Sequence, residues 1–153
     1  MSRESRLTAG ILLLLLPTVV FGGTSILSLL VGDPGYAQNQ LRQDLWRAGH
    51  AHAGVLLVLS LVALRYVDEA ALPQRMKTLT RHSIPAAAIL LPIAFFLSVL
   101  SPDATEPNAL IYLAYVGAVS LAVGLLVLGI GLIRSGRTPR DYPAEPGNKE
   151  VRR

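Results

Sequence analysis

The stretch LTAGILLLLLPTVVFGGTSILSLLV, residues 7–31, decides the fold. It contains no Asp, Glu, Lys or Arg. A bilayer core about 30 Å thick needs about 20 consecutive apolar helical residues to cross it, and this stretch is long enough. Three more stretches, residues 48–64, 83–100 and 109–133, repeat the pattern. The charges fall between them. Backbone amides in hydrocarbon must bond within their own segment, so spans of this composition are helices. The expected fold is all-α: a transmembrane four-helix bundle over residues 1–134, with a disordered cytoplasmic tail over residues 135–153.

Composition narrows the function. Hydrophobic residues make up 52% of the chain, and four spans leave no segment for a separate soluble catalytic domain. An enzyme is therefore not the expected reading. Cysteine is absent, which excludes disulfides, thiolate metal sites and thiol redox chemistry. The formal net charge is +4, but the bases are dispersed at helix ends, so a nucleic-acid partner is not expected.

The positive-inside rule explains that dispersal better. Placing the N-terminus in the cytoplasm puts Arg3, Arg6, Arg65, Arg75, Lys77, Arg81, Arg134, Arg137, Arg140, Lys149, Arg152 and Arg153 inside. Only Arg42 and Arg47 remain outside. The expected topology is N-in and C-in, in the plasma membrane. The first apolar run is longer than the h-region of a signal peptide, about 7–15 residues, so it is expected to be retained as a span.

Within the spans, Pro17 and Pro92 predict kinks, because each removes a backbone hydrogen bond. Residues 38–47 place Leu41, Leu45 and Trp46 at helical spacing, predicting an interfacial turn or an outward extension of the second helix. Ser83 and Pro85 fit the cap and first turn of the third helix. In the fourth, Gly117, Gly124 and Gly131 form a stripe every seventh residue, smooth enough for a close helix neighbour. Packing within the chain is the first expectation. A face for a second copy, or for a membrane-protein partner, is the other.

Chemistry is sparse. No carboxylate or lysine lies within a span, which argues against a proton-coupled transporter. A small-molecule transporter is the third function considered. The exception is His50 with His52, near the outer end of the second span. Histidine ligates metal or haem and shuttles protons. Two residues apart on a helix, the rings point about 200° from each other, so they cannot easily grip one ion. Thr24, Tyr112 and Tyr115 are expected at a similar depth. These five residues form the candidate ligand site, with His50 and His52 as candidate metal ligands, and haem, a metal or a quinone as candidate cofactors. His82, at the other end, reads as an interface residue.

The segment Gly49-His50-Ala51-His52-Ala53-Gly54 resembles the His-x-His helix of haem-copper oxidase catalytic subunits. In that helix the two rings face two different haems, so the resemblance implies haem-facing roles for His50 and His52. The likeness spans these six residues only. The chain as a whole resembles small bacterial four-helix integral membrane proteins of unassigned function. The leading expectation is a structural or accessory membrane protein acting through helix–helix association. The alternative is a haem-, metal- or quinone-binding redox protein built on the histidine pair.

Overall fold

A computed structural model describes residues 1–137. Five α-helices follow one another: α1 (Arg3–Gly32), α2 (Pro34–Gln38), α3 (Gln40–Val67), α4 (Gln74–Ser98) and α5 (Leu113–Arg137), the last preceded by a 3-10 turn (Ala109–Tyr112). No strand occurs among the described residues. Four of the helices are long and apolar enough to cross a membrane. The expected all-α bundle is the observed one.

The helices are arranged around α4, which packs along α3 on one side and α5 on the other. Helix α1 docks chiefly on α3. Burial follows this order: 56% of the most apolar stretch of α4 is buried, against 6% for α1. Helix α1 is apolar on almost every side, with Leu14, Phe21 and Val31 among its most exposed residues. A helix hydrophobic all round belongs in lipid rather than water.

Two apolar clusters hold the interfaces. One joins Leu12 of α1, Leu56, Leu57 and Leu64 of α3, and Ala87, Ala88 and Leu91 of α4. The other joins Ala63 and Val67 of α3, Ala70 of the connecting segment, Ile84 of α4 and Leu128 of α5. Alanines at the α4 contacts let the axes approach closely.

The glycine stripe of α5 lies against the chain's own residues. A Cβ on Gly117 would sit 3.0 Å from Leu91, one on Gly124 2.4 Å from Ser83 Oγ, and one on Gly131 2.5 Å from Leu72. Ser120, on the same side, donates to the Ser83 carbonyl at 2.9 Å. The stripe is thus filled by α4 and the segment before it.

Several boundaries differ from the sequence reading. The helix that carries the second apolar stretch begins at Gln40, so residues 40–47 form the extension of that helix, one of the two expected forms. Asn39 caps this helix, accepting the Arg42 N–H. The third helix begins at Gln74, with Pro73 at its N-cap. Ser83 does not cap it: the residue is buried in mid-helix, and Pro85 lies well past the first turn. Pro85 and Pro92 are accommodated within the continuous helix α4, as is Pro17 in α1. Residues 135–137 continue α5 instead of opening the tail. The rest of the tail, residues 138–153, lies outside the described residues.

The two ends of the bundle are chemically distinct. At one end the Ser2 N–H donates to Asp68 at 2.6 Å, Ala71 N–H to Gly131 O at 3.1 Å, and Ser135 Oγ to Glu69 O at 2.9 Å. This is the termini end. At the far end Asn39 Nδ2 donates to Pro102 O and Ala104 O, tying the loop after α4 to the start of α3, and Asn108 Nδ2 donates to Leu97 O, tying that loop back to α4.

Candidate functional site

His50 and His52 take opposite sides of α3, as helix geometry requires. His50 faces α1, where Gly22 and Gly23 leave a notch for it. A Cβ on Gly23 would lie 2.9 Å from both Cε1 and Nε2 of the ring. The imidazole is half-buried, and neither nitrogen has a hydrogen-bond partner among the described residues. His52 is exposed and points toward α4, its ring 5.2 Å from that of Phe95. Its Nδ1 lies 2.7 Å from the Ala48 carbonyl oxygen. That geometry calls for the tautomer with the proton on Nδ1.

The remaining candidates lie elsewhere. Thr24 donates to Phe21 O within α1 at 2.9 Å. Tyr112 and Tyr115 stack on each other, 6.2 Å between centroids, and both are exposed. No hydrogen bond or ring contact joins any of the three to a histidine. The described residues contain no group of three or more His, Asp or Glu placed to hold a metal. The rings of His50 and His52 are opposed and do not converge on one point, and no third donor stands with them among the described residues. His82 is exposed.

Two polar clusters escaped the sequence reading. At the termini end, Arg81 of α4 is 2% exposed. It donates to Ser5 Oγ at 3.1 Å, Glu4 Oε2 at 2.5 Å and Asp68 Oδ1 at 3.2 Å. Lys77 Nζ donates to the Asp68 carbonyl at 2.9 Å. Ser2 caps α1 through the Ser5 N–H. A buried guanidinium needs this much compensation, because desolvating a charge costs several kcal/mol. Burial is the strongest influence on the Asp68 carboxyl and pushes it up. The hydrogen bonds from the Ser2 backbone, the Ser5 and Ser2 hydroxyls and Arg81 outweigh it together, leaving the group below its ordinary value. The cluster ties the start of α1 to α4 and to the end of α3.

At the far end, Arg42 is 7% exposed. Its Nε donates to Val99 O at 3.2 Å. Its guanidinium carbon lies 4.7 Å from the Trp46 ring centre and 5.6 Å from that of Tyr36. Trp46 Nε1 donates to Phe96 O at 3.2 Å, and Gln43 holds the Tyr36 and Ala37 carbonyls. Trp46 is thereby fixed between α2 and α4. Tyr36 is fully buried, and its hydroxyl has no partner. Burial pushes the phenol above its ordinary value, against the opposing pull of Arg47 and Arg42.

The sequence hid both clusters for one reason. Arg81 and Arg42 were read as loop or interface bases. Extending α4 back to Gln74 and α3 back to Gln40 turns each into an inward-facing helical residue. The helical spacing of Leu41, Leu45 and Trp46 was the available signal for Arg42, and Ser2-x-x-Ser5 for the anchor of Arg81.

Against protein-family models, curated proteins and solved structures, the chain shows no match.

Proposed function

We propose that the chain is a structural or accessory protein of the plasma membrane, N-in and C-in, acting through helix–helix association. The observation that carries this reading is the position of α1. It is long enough to span the bilayer, is docked chiefly on α3, and is 6% buried over its most apolar stretch. Leu7, Leu14 and Phe21 recur every seventh residue on its exposed side, at 60%, 80% and 73% exposure. That spacing suits left-handed packing against another spanning helix. Topology is supported by the grouping of Ser2, the 68–73 segment and Ser135 at one end of the bundle, where the bases of the described residues concentrate. A photocrosslinking residue at position 14, in native membranes, tests association. Adducts to a protein partner or to a second copy are expected. Adducts to lipid alone would refute the reading.

A second reading rests on His50, whose half-buried ring has both nitrogens unbonded in the Gly22–Gly23 notch. One open imidazole suits a single bond: to a quinone carbonyl, or to a haem or metal whose other ligands lie on a partner. An optical spectrum and metal analysis of purified protein test it. The reading fails if the wild type and His50→Ala give the same featureless result.

A further inference from the structure

A groove of about 300 Å³ lies between the start of α4 and the last turns of α5. Leu72 and Pro73, just before α4, and Met76 of its first turn form one wall. Val127, Ile130 and Arg134 of α5 form the other. These three positions are spaced to share one face of α5. At 1.5 Å per residue, Val127 and Arg134 stand about 10 Å apart along the axis. The groove is therefore apolar along its inner length and carries a cation at its mouth, in the last turn of α5. No Asp or Glu lines it. Glu69, the acid of the preceding segment, is paired with Arg65.

The floor of the groove is held in place before any occupant arrives. Leu72 lies on Gly131, where a Cβ would come within 2.5 Å of it. Ala71 N–H donates to Gly131 O at 3.1 Å, and Ser135 Oγ to Glu69 O at 2.9 Å. Ligand sites are largely preformed in this way. Met76 and Ile130 remain 41% and 49% exposed. In a bundle of four helices apolar enough to cross a membrane, the medium that meets them is acyl chain. Arg75 and Arg137 add positive charge at the same end. Basic pockets between spanning helices suit anionic headgroups, and the arginine fork matches phosphate oxygens in pairs.

We propose that this groove binds one anionic phospholipid, with an acyl chain along Leu72, Met76, Val127 and Ile130 and the phosphate at Arg134. The order of polarity along the groove is that of the lipid itself, hydrocarbon within and phosphate at the end. An occupant would bridge the start of α4 and the last turns of α5. No residue of α1 lines the groove, so lipid binding here and association through α1 are separable.

Detergent-purified full-length protein is mixed with phosphatidylglycerol, with phosphatidylcholine of the same chains, or with glycerol phosphate, the headgroup without chains. Native mass spectrometry counts retained lipid, and the thermal midpoint follows saturation. One phosphatidylglycerol retained per chain is expected, with a saturable rise in midpoint, less retention of phosphatidylcholine and no response to glycerol phosphate. Arg134→Gln should weaken phosphatidylglycerol binding about fivefold, the order expected for one base at an anionic surface. Ile130→Trp, which fills the groove, should abolish retention. Val119→Trp, at an exposed α5 position outside the groove, should leave it unchanged. Met76→Trp blocks the groove from the α4 side if Ile130→Trp does not fold. Equal retention of phosphatidylcholine would reduce the groove to general lipid contact, and an equal response to glycerol phosphate would leave the acyl chain no role. Either result, or Arg134→Gln and Ile130→Trp binding like the wild type, would overturn the proposal.

Discussion

Adding one methyl group at Gly124 should destabilise the bundle, while adding it at Gly129 on the same helix should not. The Cβ of Gly124→Ala would lie 2.4 Å from Ser83 Oγ and 2.6 Å from Ile84 Cγ1. Ordinary contact is about 3.5–4.0 Å, so α4 or α5 must shift by about 1 Å. Ile84 is fully buried and β-branched, with little freedom to turn aside. Overpacking of this kind costs about 1–3 kcal/mol. Glycine-to-alanine exchange inside a helix returns about 1 kcal/mol through propensity. At Gly129 a Cβ meets nothing within 4 Å, so only the favourable part remains. The propensity gain is common to both variants, and their difference isolates the overpacking: about 1–3 kcal/mol, with Gly124→Ala the weaker protein. Gly124→Leu should be worse again, and should destabilise more than Leu125→Ala, whose side chain is 37% exposed. Denaturation in detergent, followed by Trp46 fluorescence and helical circular dichroism, measures the difference. Equal stabilities for the two alanine variants would show that α4 and α5 are not in close contact at Gly124.

Arg81→Gln should cost about 3–5 kcal/mol, because it leaves the Asp68 carboxylate largely buried without its cation, whereas Glu4→Gln, at an exposed partner, should cost under about 1 kcal/mol; denaturation midpoints separate the two. The Asp68 carboxyl is held below its ordinary value of 3.8, so its contribution is present above that pH and is lost as pH falls below it through the folded value. Asp68→Asn should therefore flatten the acid side of the stability profile, and an unchanged acid limb would argue against the cluster. Single cysteines at Gln40 and Thr105, in a chain with none of its own, should label from outside the cell, and cytoplasmic labelling at either would refute the assigned topology. His50 and His52 should respond differently to change in the helix opposite: Gly23→Ala, whose Cβ meets the His50 ring at 2.9 Å, should destabilise in the presence of His50 and much less in a His50→Ala background. His52→Ala should leave that coupling unchanged, and equal behaviour of both backgrounds would remove the notch.

Hydrophobic length was enough to determine four helices long and apolar enough to span a membrane, because continuous apolar runs of about 20 residues satisfy their own backbone hydrogen bonds as helices. The opposed placement of His50 and His52 was legible for a similar reason: residues two apart on a helix cannot share a face. The same rule could not say what each ring meets. Gly22 and Gly23 lie far away in sequence, and only the docking of α1 on α3 turns them into the notch for His50. Thr24, Tyr112 and Tyr115 show the complementary failure. Equal depth was taken to mean proximity, but rotation about each helix axis, which depth does not specify, sends Tyr112 and Tyr115 outward.

The stripe of Gly117, Gly124 and Gly131 was visible as a smooth face. That it meets Leu91, Ser83 and Leu72 was decided by tertiary packing, because a smooth face accepts any close helix. Boundaries were weakest wherever helices run beyond the apolar stretch, since a polar turn at a membrane surface resembles a loop in composition. That is where Arg42 and Arg81 lie. Sequence by itself placed both at the edge of a span. Only the tertiary structure turned them inward, and with that decided which charges are buried, that Arg81 is neutralised by Glu4 and Asp68, and that Arg42 rests on the rings of Trp46 and Tyr36. The physical reason is that burial and pairing are properties of the space between helices, and that space exists only once the helices have packed.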